Sequence, residues 1–187
     1  MKHSLRLPLS GVLVAFGLGL GCGCSPVGRA DPPPTAAKVD LGRYAGRWHE
    51  IARLPAPFQK DNEAAIADYG VNPDGTLSVH NIAVRPDGTK HDIKGSAKVL
   101  NPPANTKLAV RFDTWFGPLI PMPAEGNYWV FHVDGCYQEA IVGTPDRRFL
   151  WLLARTPEIP EKRRAALVGK AKVLGFDVCR LVKSPAR

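Results

Sequence analysis

The histidines His49, His80, His91 and His132, the cysteines Cys136 and Cys179, and the carboxylates Glu50 and Glu139 are the side chains that could attack, transfer protons or ligate metal. None of the histidines has a second ligand at the spacing a metal site uses, so each is read as a surface or strand residue. Cys136 could serve as a thiol nucleophile with His132 as its base, but spacing alone does not assemble that pair. Nothing in the pattern brings Glu50 and Glu139 together for acid–base work. A Gly-x-Ser-x-Gly nucleophile turn is missing. The run Gly17-x-Gly19-x-Gly21-x-Gly23 lacks the flanking strand and helix that a phosphate-binding loop needs. The expectation is a protein that catalyses nothing and holds no cofactor.

With so little reactive chemistry, the weight falls on the scaffold. The chain has 187 residues, enough for one domain with a sizeable core. Its 18 Pro and 18 Gly favour many turns over long helices. The formal charge is +8, but basic and acidic residues interleave without a long basic block. Nucleic acid is therefore not an expected partner.

From Gly46 onwards, short β-prone runs alternate with turns. Strands are expected near Arg47–Arg53, Ala64–Val71, Thr76–Val84, His91–Leu100, Lys107–Asp113, Asn127–Asp134, Tyr137–Val142 and Phe149–Arg155. Asn72-Pro-Asp-Gly75 and Arg85-Pro-Asp-Gly88 are hairpin turns, each with a proline that presets φ and a glycine that takes φ > 0. Alternation gives each strand one dry face: Leu108, Val110 and Phe112 oppose Lys107, Arg111 and Asp113. Pro160 to Leu174 reads as the one good helix, ended by Gly175, and Phe176–Val182 as a short last strand. Its basic face is read as solvated, with contact to anionic headgroups as the alternative. Eight strands and a late helix, without an internal repeat, suggest a barrel or a sandwich.

The N-terminus reads as an address. Lys2 and Arg6 precede the apolar run Gly11–Leu20, so residues 1–21 are expected to be a signal peptide, too short for a comfortable membrane span. Leu20-Gly21-Cys22-Gly23-Cys24 resembles the site at which a bacterial lipoprotein is cleaved and acylated, with Cys22 favoured and Cys24 as the alternative. Plain secretion with cleavage nearby is the other reading. Neither cysteine is followed by Asp, which leans the expectation to the outer membrane, facing the periplasm. Acyl chains contribute about 0.8 kcal/mol per buried methylene, so more than one chain gives a stable hold. Residues 22–39, with the Pro32-Pro33-Pro34 run, are expected to be an extended tether, and residues 40–187 the folded domain. In an exported protein the pair Cys136 and Cys179 suggests a disulfide.

Three motifs carry a family resemblance. Gly46-x-Trp48, within Leu41-Gly-Arg-Tyr-Ala-Gly-Arg-Trp-His-Glu-Ile-Ala-Arg53, looks like the first lipocalin motif. Phe149-Leu-Trp-Leu-Leu-Ala-Arg155 followed by Thr156-Pro157 looks like the third, and Asp134-Gly-Cys-Tyr137 matches the second loosely. The chain thus resembles the lipocalin family over Asp40 to Val182, most of all the bacterial outer-membrane lipoprotein group, with apolipoprotein D as a cousin. The resemblance implies an all-β fold, an eight-stranded up-and-down antiparallel barrel with one C-terminal α-helix and a short final strand.

It also implies where the work is done. Trp48 would plug one end of the barrel, Arg155 would lie over its ring, and Gly46 would let the chain turn into the strand; these are structural residues. By alternation and the implied strand directions, Tyr69, Asn81, Phe112, Tyr128, Val130, Trp151 and Leu153 point inward, an apolar lining with a few polar handles. Each inward aromatic reads equally well as ordinary core. Phe58, in the long loop Pro55–Asp61, is a candidate lid, and Trp115–Pro123 is a second, very apolar mouth loop. The implied ligand is a fatty acid or lysophospholipid, stored or transported for envelope maintenance, with Lys60 available to meet an acidic head. A lipocalin-like enzyme on a lipophilic substrate and a haem or porphyrin carrier are the alternatives; the latter would need an inward histidine, His80 or His132. A homodimer is left open.

Overall fold

A computed structural model describes residues 31–114 and 122–186. The signal segment, Cys22, Cys24 and residues 115–121 of the second mouth loop lie outside the described residues.

The eight expected strands form close to their expected limits: β1 Gly46–Arg53, β2 Ala64–Val71, β3 Leu77–Val84, β4 Lys90–Val99, β5 Lys107–Phe112, β6 Tyr128–Val133, β7 Glu139–Gly143 and β8 Leu150–Ala154. Each pairs antiparallel with the next, and β8 returns to β1. Because β1 also pairs with β2 (Gly46 opposite Tyr69, Trp48 opposite Ala67), the sheet closes on itself and loses its edges. This is an eight-stranded up-and-down barrel.

The alternation of side chains builds two separate cores. Inside the barrel, Trp48, Leu77, Val79, Ala97, Leu108, Val130, Val142 and Leu153 pack together. Outside it, Ala52, Trp129, Phe131, Ile141, Leu150 and Leu152 receive Leu167 and Ala171 of helix α2, Glu161–Val173. Arg163 of that helix reaches Glu139 on β7 at 2.5 Å, which fixes the helix along the strands.

Three expectations are corrected. Phe176–Val182 is not a continuous strand: Phe176 turns down under the helix onto Phe131 (ring centroids 5.3 Å apart), and a 3-10 turn, Val178–Arg180, follows. Only Val182–Lys183, β9, is extended, and it pairs outside the barrel with Ala52 and Arg53. Cys136 and Cys179 are not joined by a disulfide; both are exposed. Cys136 sits in the β6–β7 turn beside the start of β1, whereas Cys179 precedes β9 near the end of β1, so the fold holds them apart. Finally, residues 31–39 of the tether do not hang free. Pro33 and Val39 are fully buried, and Ala36 N–H donates to the Val130 carbonyl at 2.9 Å.

Candidate functional site: the barrel cavity

One end of the barrel is shut. Asp40 caps the single-turn helix α1, Leu41–Tyr44, by accepting from Arg43 N–H at 3.1 Å, and the chain then turns at Gly46 (φ +91°) into β1. This puts Trp48 inside the barrel, fully buried, with its indole N–H donating to the Tyr44 carbonyl at 2.8 Å. The Arg155 guanidinium lies 3.8 Å from the Trp48 ring centroid, so the plug is capped by a cation.

Above the plug lies a cavity of about 1130 Å³, a little above the usual span for a small-molecule site (~300–1,000 Å³). Its floor is polar. Tyr44 and Tyr69 stack with centroids 5.7 Å apart, and the Tyr128 hydroxyl lies 2.7 Å from that of Tyr44 and 3.2 Å from that of Tyr69. Three hydroxyls carry three protons, and two hydrogen bonds use two of them. One donor is left for something in the cavity. Burial pushes the Tyr69 hydroxyl up to about 12 and those of Tyr44 and Tyr128 well above the usual value, helped by their mutual proximity, so all three stay neutral. The walls are apolar: Leu77, Val79, Ala97, Leu108, Val110, Phe112, Val142 and Leu153.

A closed eight-stranded barrel with a capped tryptophan plug, one helix packed outside and a large apolar chamber is a recognisable combination, and the amino-acid sequence agrees. Residues 39–186 match the family described as the lipocalin-like domain. The chain belongs to the lipocalin-like family. Among its relatives, this lipocalin is 40% identical to temperature-induced lipocalin-1 of Arabidopsis thaliana over 79% of each chain. It is 35% identical to the outer membrane lipoprotein Blc of Escherichia coli K12 over 94% of each, and 34% identical to apolipoprotein D of Mus musculus over 81% of this chain and 79% of that one. Among solved structures, insecticyanin from the tobacco hornworm shares the fold with a TM-score of 0.62 at 22% identity, over 86% of this chain and 87% of that one.

Seven of the eight residues expected to meet a ligand border the lipocalin cavity: Phe58, Tyr69, Asn81, Phe112, Tyr128, Trp151 and Leu153. Val130 does not. It points into the barrel but is fully enclosed in the packed core. Asn81 faces the cavity one inward step nearer the mouth than Val79, and its Oδ1 is buried without a hydrogen-bond partner. At the mouth, Phe58, Phe149 and Trp151 form a row of rings, with centroids 5.4 and 6.1 Å apart, that leads from the rim inward. Lys60 stands exposed on the same rim.

The sequence reading missed two features of this wall. Tyr44 precedes the first strand, where no alternation marks it. Glu50 borders the cavity and Arg53 lies buried beside it, with Arg53 Nε 3.4 Å from Glu50 Oε1. Gln59 from the first mouth loop donates to Glu50 at 2.9 Å, Ser184 of the C-terminal segment donates to the same carboxylate, and Asp61 accepts from Arg53 at 2.9 Å. Burial pushes the Glu50 carboxyl up, against the pull of those partners.

Among the described residues the histidines do not converge. His80 binds Asp92 at 2.8 Å, His132 packs partly buried towards Lys170 on the helix side, and His91 stands exposed at the rim.

Proposed function

We propose that this lipocalin takes up a fatty acid or lysophospholipid and stores or carries it in the barrel, anchored through acylated Cys22 (or Cys24) in the outer membrane and facing the periplasm. The observation that carries the reading is the cavity itself: about 1130 Å³, apolar along its walls and polar at only a few points. An acyl chain gains roughly 0.8 kcal/mol per buried methylene there. The unpartnered Asn81 Oδ1 and the spare tyrosine proton offer an acceptor and a donor to the oxygens or hydroxyls of such an amphiphile. Lys60 at the rim suits an acidic head. The relatives named as outer membrane lipoproteins support the location.

The role is binding and not catalysis. The cavity's tyrosines are hydrogen-bonded to one another and neutral, and the Glu50 carboxylate is committed to Arg53, Gln59 and Ser184. Groups held in this way are suited to orienting a ligand. Native mass spectrometry of the protein purified from its own membranes tests the proposal: a co-purifying acyl lipid is expected. A folded protein that retains no acyl lipid and takes up neither fatty acids nor lysophospholipids would overturn it.

A further inference from the structure

We propose that the open mouth of the barrel, and not its closed end, faces the bilayer that anchors the chain, with Phe58 and Phe149 meeting the lipid surface. The inference rests on the acylation of Cys22 or Cys24 read above.

It begins with the path of the N-terminal segment. Val39 N–H donates to the Ala104 carbonyl in the β4–β5 turn, at the closed end, at 2.8 Å. The Thr35 and Thr106 hydroxyls are 3.1 Å apart, and Ala36 N–H reaches the Val130 carbonyl. Pro33 is fully buried and Pro32 borders the cavity opening. Arg147, in the β7–β8 turn at the mouth, donates to the Asp31 carbonyl at 2.9 Å and to the Leu174 carbonyl at the end of α2 at 2.9 Å. Followed backwards from Val39 to Asp31, the segment is therefore strapped along the barrel from its closed end to its rim. It leaves the body at the mouth.

The remaining length decides the orientation. Eight residues lie between Cys22 and Asp31, nine Cα-to-Cα steps with a reach of about 30 Å at full extension. The barrel is of similar height: the ten residues of β4, rising ~3.3 Å each and tilted ~40°, cover about 25 Å. For the closed end to touch the bilayer, the free tether would have to double back almost fully stretched and lose most of its conformational freedom. With the mouth towards the bilayer, that length is more than the span requires.

The rim has the surface for this contact. Phe58 is 68% exposed at the tip of a loop and leans on Phe149, whereas the other exposed large apolar side chains among the described residues, Val71 and Val173, stand singly. Of the cations beside it, Arg148 is paired with Asp146 and Arg85 with Glu63, while Lys60 stands exposed on the same rim and adds one charge to the apolar contact. The contact is thus apolar and tethered, and it should survive added salt. A ligand leaving the bilayer would then enter the barrel without crossing water.

The test uses the acylated full chain in phosphatidylethanolamine–phosphatidylglycerol vesicles that carry nitroxide headgroup quenchers. One environment-sensitive fluorophore is placed at the mouth through Pro57→Cys, or at the closed end on the native Cys136, with the other unacylated cysteines changed to serine. The mouth label should be quenched several-fold more than the Cys136 label, since about 25 Å separates the two ends, in low and high salt alike. Equal or reversed quenching in a chain that floats with the vesicles overturns the orientation and leaves the anchor standing. A folded chain that does not float with the vesicles overturns the anchor and the orientation with it.

Discussion

Arg155 caps Trp48 with its guanidinium 3.8 Å from the ring centroid, and the same group donates to the carbonyls of Arg47 (2.7 Å), Arg43 (2.7 Å), Ala45 (3.0 Å) and Tyr137 (3.1 Å). One side chain at the end of β8 thereby holds α1, the start of β1 and the β6–β7 turn around the plug. Charge-assisted hydrogen bonds contribute about 1.5–3 kcal/mol each and the ring contact about 0.5–2, without adding in full. Arg155→Ala should lower the stability by about 2–4 kcal/mol in urea denaturation. Arg155→Lys should recover less than half, because an ammonium cannot reproduce the planar fork. Affinity for a fluorescent fatty acid, measured under folded conditions, should change little.

The tyrosine floor has a signature in alkali. In the unfolded chain tyrosine ionises near pH 10, whereas burial raises Tyr69 to about 12 and lifts Tyr44 and Tyr128 as well. The folded state therefore holds protons that the unfolded state has lost, and its stability is full below about pH 10 and falls as pH rises towards 12. The tyrosinate absorbance of these three should appear together with unfolding. Their ionisation near pH 10 in a still-folded protein would contradict the cluster. Tyr128→Phe, which removes one of the three ionising groups, should lessen the alkaline loss without abolishing it, because burial still raises Tyr44 and Tyr69.

Enclosed core and cavity wall can be separated by mutation. Val130 is fully buried away from the ligand space, so Val130→Ala should cost about 1–2 kcal/mol of stability and leave fatty-acid affinity nearly intact. Trp151 and Phe112 border the cavity. Trp151→Ala should weaken binding about tenfold or more while costing less stability than a packed-core truncation, since its ring is incompletely buried. If the two substitutions exchange effects, the boundary drawn between core and chamber is wrong.

The strands were legible because a barrel wall, dry inside and wet outside, writes itself as alternation; Leu77, Val79 and Asn81 can be read that way without coordinates. Three of the misreadings share a cause, local geometry that breaks the period. A bulge between Glu50 and Ala52 shifts β1 by one residue, so Glu50 and Arg53, three apart, reach the same side. Tyr44 reaches the cavity from a four-residue helix too short for any pattern. Phe176 reads as a strand residue, yet a buried slot under α2 claims its ring and delays the last strand to Val182.

The Glu50–Arg53 pair yields the last prediction. Both side chains are almost wholly enclosed, and between them they tie β1 to the first mouth loop through Gln59 and Asp61 and to the C-terminal segment through Ser184. Removing one member of a buried pair strands the other, so Arg53→Met should cost about 3–5 kcal/mol, whereas Glu50→Leu combined with Arg53→Met should recover most of that loss. The pH dependence separates this from a simple packing defect. Burial raises the folded Glu50 carboxyl above its unfolded value, so its contribution is full below the usual carboxylate range and falls as pH rises through the folded value. Without Arg53 the charged form loses its nearest cation, and that fall should become steeper in Arg53→Met and vanish in the double variant. Urea denaturation of the three proteins between pH 4 and pH 8 measures it; parallel profiles would show that the ion pair does not set the ionisation of Glu50.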